Sequence, residues 1–221
     1  MAVERTATLE RITEHGPDTR SLFLRLPEPL RFVPGQFISC LLPVGSEVLT
    51  RPYSIASDPD SPDVIELLLD RVPTQRGSHH LFSLRPGATV RYTGPWGTFT
   101  LEEGPTVEAV FVAIGTGIAP IRPMVRRALA TAVRPIVLLY ATTPAGTPPY
   151  LDEVSAPRPS YTAVRLAAAD VVDEVRRRFV EADADRSRQF FLCGVGDVVH
   201  ALRDLLRAAG YERRAVRYEK W

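Results

Sequence analysis

Ala109-Val110-Phe111-Val112-Ala113-Ile114-Gly115-Thr116-Gly117-Ile118-Ala119-Pro120 is the stretch that decides the fold. Six consecutive apolar residues leave no polar face, so the run reads as a strand buried on both sides, the habit of parallel sheets. Gly115 and Gly117 permit a tight turn and close approach of a ligand, and a helical pattern over residues 121–130 follows with its N-terminus aimed back at the turn. Residues 136–141 are a second buried run. Beyond them the pattern predicts a strand over 163–167, a charged amphipathic helix over 171–181 and a strand over 189–193. A helix over 198–209 ended by Gly210 and a last strand over 214–218 complete it. Alternating strands and helices make a doubly wound parallel sheet, whose ligand belongs at the carboxyl ends of the strands, near Gly115-Thr116-Gly117 and Gly194. Between Thr142 and Ser160 the prolines at 144, 148, 149, 157 and 159 leave room only for a short turn around 150–154, an irregular crossover.

Towards the N-terminus the rhythm is different. From Thr6 to Leu101 short alternating or apolar runs, among them 8–12, 21–26, 36–42, 64–69 and 89–92, are separated by Pro27, Pro34-Gly35, Pro59, Pro62 and Pro86-Gly87. This predicts a small antiparallel barrel. One short helix is expected after Gly77-Ser78, capped by Ser78, running through Leu84 and plugging one end of the barrel. The change of rhythm at Glu102-Glu103-Gly104-Pro105 divides the chain into domains 1–103 and 104–221.

The composition is that of a globular chain with a real core: 45% hydrophobic and 24% charged residues over 221 positions, which excludes wholesale disorder. Twenty-seven Lys and Arg against 26 Asp and Glu give a net charge of +1, so no global field draws in nucleic acid or an anionic membrane. The two cysteines, Cys40 and Cys193, are too few for a disulfide scaffold, a structural zinc cluster or a Cys-ligated iron–sulfur centre, and argue for a reducing compartment. Residues 1–10 carry no apolar signal region and no window is long enough to span a bilayer, so the expectation is a cytoplasmic protein, monomeric and without a metal.

Chemistry concentrates in Arg51-Pro52-Tyr53-Ser54-Ile55-Ala56-Ser57. A fixed cation, a flat aromatic and a hydroxyl lie within four residues, and strand alternation sends Arg51 and Tyr53 to one face, which suits a ligand with a phosphate and a ring. Taken alone, the string reads equally as a strand with a surface arginine and a core tyrosine. In context it resembles the signature of the ferredoxin-NADP reductase family of flavoenzymes, Arg-x-Tyr-Ser. The resemblance extends over nearly the whole chain. Pro34-Gly35-Gln36-Phe37 is similar to the segment before that signature, and Gly94-Pro95-Trp96-Gly97-Thr98-Phe99 to the family's Gly-Pro-x-Gly-x-Phe turn. Gly115-Thr116-Gly117-Ile118-Ala119-Pro120 is similar to its nicotinamide-domain glycine turn, and Cys193-Gly194 with Glu219 and Trp221 to its C-terminal pattern.

The resemblance implies a flavin-binding barrel of the six-stranded type followed by a Rossmann-like nucleotide domain, with FAD and NAD(P)H as cofactors. It implies that Arg51 pairs with the FAD pyrophosphate, Tyr53, flanked by Pro52, packs against the isoalloxazine, and Ser54 bonds near flavin N5, each role fitting the donor or surface that side chain offers. Arg76, Gly77 and Ser78 would present helix N-terminal N–H groups to the pyrophosphate, although the family more often spaces this pair as Gly-x-x-Ser. His79 and His80 read as helix-surface residues or as phosphate contacts. Thr116 would lie near both cofactors, with Gly115, Gly117, Thr142, Thr143, Cys193, Gly194 and Val195 on the nicotinamide nucleotide. Val195-Gly196 stands where the family has prolines, and Thr142-Thr143 lacks the cation of its NADPH-preferring members, a place Arg165 is positioned to fill.

Cys193 has two readings, a small apolar residue closing a strand or a side chain beside nicotinamide C4; the resemblance favours the second, with Ser54, Cys193 and Glu219 as the catalytic set. Trp221 is either a frayed end or, by the resemblance, an aromatic cover for the flavin face. Arg176-Arg177-Arg178 and Arg213-Arg214 read as solvated faces, with docking of an acidic electron carrier as the alternative. The expected activity moves a hydride between NAD(P)H and flavin N5 and passes electrons to or from a ferredoxin- or flavodoxin-like protein. Its rivals are the reductase component of a multicomponent oxygenase and a non-catalytic FAD-binding partner or sensor subunit.

Overall fold

In the first hundred residues apolar side chains recur at alternate positions, so each extended segment can bury one face. In the computed structural model, which describes residues 3–131, 133–142, 148–182 and 184–220, these segments pair into one antiparallel sheet. Its strands are β1 (Glu4–Glu14), β2 (Thr19–Arg25), β3 (Phe37–Val44), β4 (Glu47–Ser54), β5 (Val64–Asp70) and β6 (Thr89–Trp96). The order is β4-β3-β6-β1-β2-β5, and a bridge from Ile55 to Leu67 joins its two edges into a barrel. Leu9, Leu24, Ile38, Cys40, Leu67 and Tyr92 are among the side chains that fill its interior. A register shift between Leu9 and Arg11 bends β1, as strands of small barrels must.

α1 (Arg76–Ser83) sends Leu81 and Phe82 into the same core and packs on β3. It starts earlier than expected, and its N-cap is Gln75 rather than Ser78. The Ser78 hydroxyl, 2% exposed, donates to the Gln75 carbonyl (2.9 Å) and accepts from the Val72 N–H (3.0 Å). The serine therefore ties down the turn ahead of the helix instead of capping it.

The chain divides into two compact units, Met1–Thr100 and Leu101–Trp221. In the second, β7 (Ala109–Ile114), β8 (Ile136–Thr142), β9 (Tyr161–Ala167), β10 (Gln189–Gly194) and β11 (Val216–Lys220) form a parallel sheet in the order β11-β10-β7-β8-β9. Its helices are α2 (Ile118–Thr131), α3 (Leu151–Val154), α4 (Val171–Arg176), which continues in π geometry over Arg177–Glu181, and α5 (Gly196–Ala208). On one face Val110, Val112 and Leu192 pack with Val175 of α4, Phe179 and Leu202 of α5. On the other, Phe111 stacks on Phe191 (ring centroids 4.9 Å apart) and α2 packs against β7, β8 and β10.

The chain leaves β7 towards β8 and later returns to its other side as β10, so the switch point of the sheet lies between β7 and β10. α2 begins at Ile118 and not at 121, because Pro120 falls in the first turn, where its missing N–H has no partner to lose. The last strand begins at Val216, since Arg213–Ala215 form a 3-10 turn. The irregular crossover is reduced to the one short helix α3 among its described residues.

Candidate cofactor sites

In the barrel, the register of β4 against β3 pairs Arg51 with Cys40, Tyr53 with Ile38 and Ser54 with Phe37. Tyr53 is half-buried against the core, and burial raises its phenol above the ordinary range, helped by Cys40 and opposed by Arg51, so it stays neutral. Ser54 is buried, while Pro52 is exposed. Arg51 is exposed and its stem lies along α1: a Cβ placed on Gly77 would stand 3.1 Å from Arg51 Cγ and 3.3 Å from Leu42 Cδ1. The glycine thus lets the arginine lie against the first turn of the helix, whose N–H groups have no intrahelical partner. A guanidinium beside a helix N-terminus is a cradle for a doubly charged phosphate group, and this fits the pyrophosphate of FAD. Arg76 itself is ion-paired with Glu47 of β4, which leaves its backbone as its contribution to that cradle. The exposed His79 ring lies 3.1 Å from the Pro73 carbonyl, on the helix surface.

In the parallel sheet two glycines interlock at the switch point. A Cβ on Gly117 would fall 2.1 Å from the Cys193 carbonyl oxygen, and one on Gly194, with φ +148°, would fall 2.6 Å from Ile114 Cβ. No side chain fits at either place, so the turn after β7 and the end of β10 meet backbone to backbone. That contact seats Cys193, fully buried, at the carboxyl end of β10, with Ala113 and Glu219 as its register partners on β7 and β11. Burial and the facing Glu219 push the Cys193 thiol well up, so it stands as a neutral SH. Burial alone lifts the Glu219 carboxyl to about 7. A neutral, buried thiol is a poor nucleophile, and of the two groups only the carboxyl exchanges a proton near neutrality. Val195, 58% exposed, follows Gly194 at the same mouth.

Thr116 sits on the turn between β7 and α2, and Gly115 there has φ +57°. Thr142 ends β8, buried, and its Oγ1 lies 3.5 Å from Arg165 Nε on β9. Thr143 and Trp221 fall outside the described residues. Among the described residues no cluster of three or more His, Cys, Asp or Glu is placed to hold a metal ion.

One group of side chains was missed by sequence reasoning: Arg122 and Arg126 of α2 both bind Glu153 of α3. The signal was there in part. α2 carries three arginines, Arg122, Arg126 and Arg127, and no acid, so its counter-ion had to come from another element.

A barrel whose rim offers a cation, a half-buried aromatic and a helix N-terminus, joined in sequence to a doubly wound sheet with a glycine mouth, defines the class of flavin- and nicotinamide-linked oxidoreductases. A family model described as an oxidoreductase FAD-binding domain matches residues 6–101. Ferredoxin--NADP reductase B of Sorangium cellulosum is 33% identical over 208 residues, covering 86% of this chain and 85% of that one. The chain belongs to the ferredoxin-NADP reductase family. The ferredoxin--NAD(P)(+) reductase component of a Pseudomonas putida naphthalene 1,2-dioxygenase system is 29% identical, over 87% of this chain and 61% of its own length. The crystal structure of an Amycolatopsis cytochrome P450 reductase superposes with a TM-score of 0.85 at 28% identity, covering all of this chain and 71% of that one.

Proposed function

We propose that the chain is an FAD-dependent reductase in which the barrel holds the flavin and the parallel sheet holds NAD(P)H, for delivery of electrons to a small redox protein. The observation that carries this reading is the glycine interlock at the switch point, which seats Cys193 and Glu219 side by side where a nicotinamide ring would enter. FAD, when bound, supplies the exchange between a two-electron hydride donor and one-electron carriers. Everything else is positioning. Arg51 and the first turn of α1 bind phosphate oxygens, Tyr53 excludes water from one ring face, and the Ser54 hydroxyl lies at the end of β4. Cys193 fixes how closely a ring can approach, and near-attack geometry demands about 3 to 3.5 Å between the reacting atoms. Glu219 holds or releases a proton at its carboxyl. Thr142 and Arg165 supply a hydroxyl and a cation at the ends of β8 and β9 for the adenosine half of the nucleotide.

Purification followed by mixing with NADPH or NADH tests the reading. The protein should be yellow and should bleach rapidly, while Arg51→Ala combined with Tyr53→Ala should fold yet purify nearly colourless. Full flavin content in the double variant would remove this assignment of the signature, and a flavin that neither nucleotide bleaches would favour a non-catalytic FAD-binding subunit. A second reading, the reductase component of an oxygenase, is supported by the dioxygenase-system relative. Faster electron delivery to an oxygenase partner than to ferredoxin or flavodoxin would select it.

A further inference from the structure

The crossover after β8 is rich in proline and short of regular structure, yet its described part is fastened at four points. The Tyr140 hydroxyl, from β8, donates to the Pro149 carbonyl (3.2 Å), and the Tyr161 hydroxyl, from β9, donates to the Val154 carbonyl (2.5 Å). Arg122 of α2 lies over the Tyr150 ring (4.1 Å) and binds Glu153 (2.8 Å), which also binds Arg126 (2.7 Å). Tyr150 is held at φ +59°, a left-handed conformation that a non-glycine residue adopts only when its surroundings impose it.

The four points do not do equal work. The two tyrosines tie the crossover to its own neighbouring strands. Glu153 instead ties it to α2, the helix whose first turn follows Gly115-Thr116-Gly117. The Arg122 side chain is 11% exposed and Glu153 28%, so these are not the solvated pairs that contribute little. Arg122 would be left without its carboxylate in a nearly dry place if Glu153 were neutral, and its planar fork would lose the partner that orients it against Tyr150.

We propose that Glu153, bridging Arg122 and Arg126, is a positioning residue that locks the crossover to α2 and so sets nucleotide affinity without touching the nucleotide. The inference rests on the proposed function, in which the end of β8 serves the adenosine half of NAD(P)H, and adds that the first turn of α2, after Gly115-Thr116-Gly117, takes that nucleotide's pyrophosphate. On that reading α2 holds one end of the ligand and the chain leaving β8 the other, and the bridge ties the described part of that chain to α2. A ligand that spans two elements binds best when their separation is set before it arrives, since ordering them on binding subtracts from affinity. The hydride step depends instead on the mouth at Cys193 and Glu219, so it should not sense the bridge.

Stopped-flow reduction of the bound flavin by NADPH and by NADH separates these effects. Glu153→Gln should raise the apparent Kd for the nucleotide by roughly three- to thirtyfold, as changes remote from a ligand do, with flavin content and the limiting rate of reduction unchanged. Glu153→Asp, which keeps the charge, should recover part of the affinity. Arg126→Gln removes a side chain 35% exposed, leaves the Arg122 pair in place and should give a smaller rise in Kd; it carries the test if Glu153→Gln does not fold. A lowered melting temperature with unchanged Kd would show Glu153 to be merely structural and would overturn the inference while leaving the proposed function intact. A fall in limiting rate with unchanged Kd would also overturn it. Wild-type protein whose flavin neither nucleotide reduces would sink the inference together with the reading on which it rests.

Discussion

At the scale of single residues, the two halves of the candidate chemistry are built by opposite means. Arg51 is exposed, its guanidinium donating to the Thr50 carbonyl (2.8 Å) at the surface, whereas Cys193 is set into the sheet by backbone contacts that only glycine allows and faces Glu219 through the β10–β11 register. Burial gives Glu219 a pKa of about 7, against 4.5 for the free carboxyl. The folded state therefore holds a proton between these values that the unfolded chain has lost. The contribution of this group to stability is full below about pH 4.5, falls as pH rises to about 7 and is flat above, a change on the order of a few kcal/mol. Glu219→Gln should abolish that step, so its melting temperature relative to wild type should rise from pH 5 to pH 8. Flavin reduction should carry the same signature: if the protonated carboxyl donates, the rate falls as pH rises through about 7, and the variant loses this dependence. Equal pH profiles of rate and melting temperature in the two proteins would mean that the carboxyl titrates elsewhere and plays no part.

At the scale of elements, legibility followed how local the cause was. β7 was plain because burial on both faces leaves an uninterrupted apolar run, and the barrel strands because burial on one face leaves alternation. The start of α2 was misplaced by three residues because Pro120 reads as a breaker, although a first turn tolerates it. The role of Ser78 was misread because its partners are backbone groups of the preceding turn, the Val72 N–H and the Gln75 carbonyl, whose path no local pattern reveals. The bridge from Glu153 to Arg122 joins residues 31 apart in sequence, beyond any periodicity. Arg165 was legible as a cation in the strand after β8, a stand-in for the one missing beside Thr142-Thr143, and β9 sets its Nε 3.5 Å from Thr142 Oγ1. An arginine there favours a 2′-phosphate by charge-assisted hydrogen bonds, so Arg165→Ala should lower the ratio of kcat/KM for NADPH over NADH by roughly tenfold, with NADH constants nearly unchanged. A ratio that does not move would place the 2′-phosphate away from β9.

At the scale of the whole molecule, each unit encloses its own core, and neither cysteine is placed to join a cluster, since Cys40 and Cys193 are both buried and belong to different units. Two cysteines in 221 residues cannot supply the four thiolates of a Cys-ligated 2Fe–2S centre, so under the proposed function an iron–sulfur carrier of that kind would be another protein or domain. Charge decides how such a carrier would be met. The net charge is +1, and the arginine clusters that sequence singled out are largely spent within the chain: Arg176 pairs with Asp173, Arg177 and Arg178 with Glu174, and Arg214 with Glu212. Steering over distances longer than a Debye length, about 8 Å at physiological salt, needs an unbalanced field that these pairs do not supply. An added ferredoxin or flavodoxin should therefore accelerate NAD(P)H-driven electron delivery to cytochrome c, and the kcat/KM for that carrier should fall by less than about threefold between roughly 50 and 200 mM salt. A carrier that brings no acceleration would argue for direct delivery to a haem or oxygenase partner. A fall of tenfold or more would mean that the paired arginines open on docking and that local charge, not the balanced whole, governs the encounter.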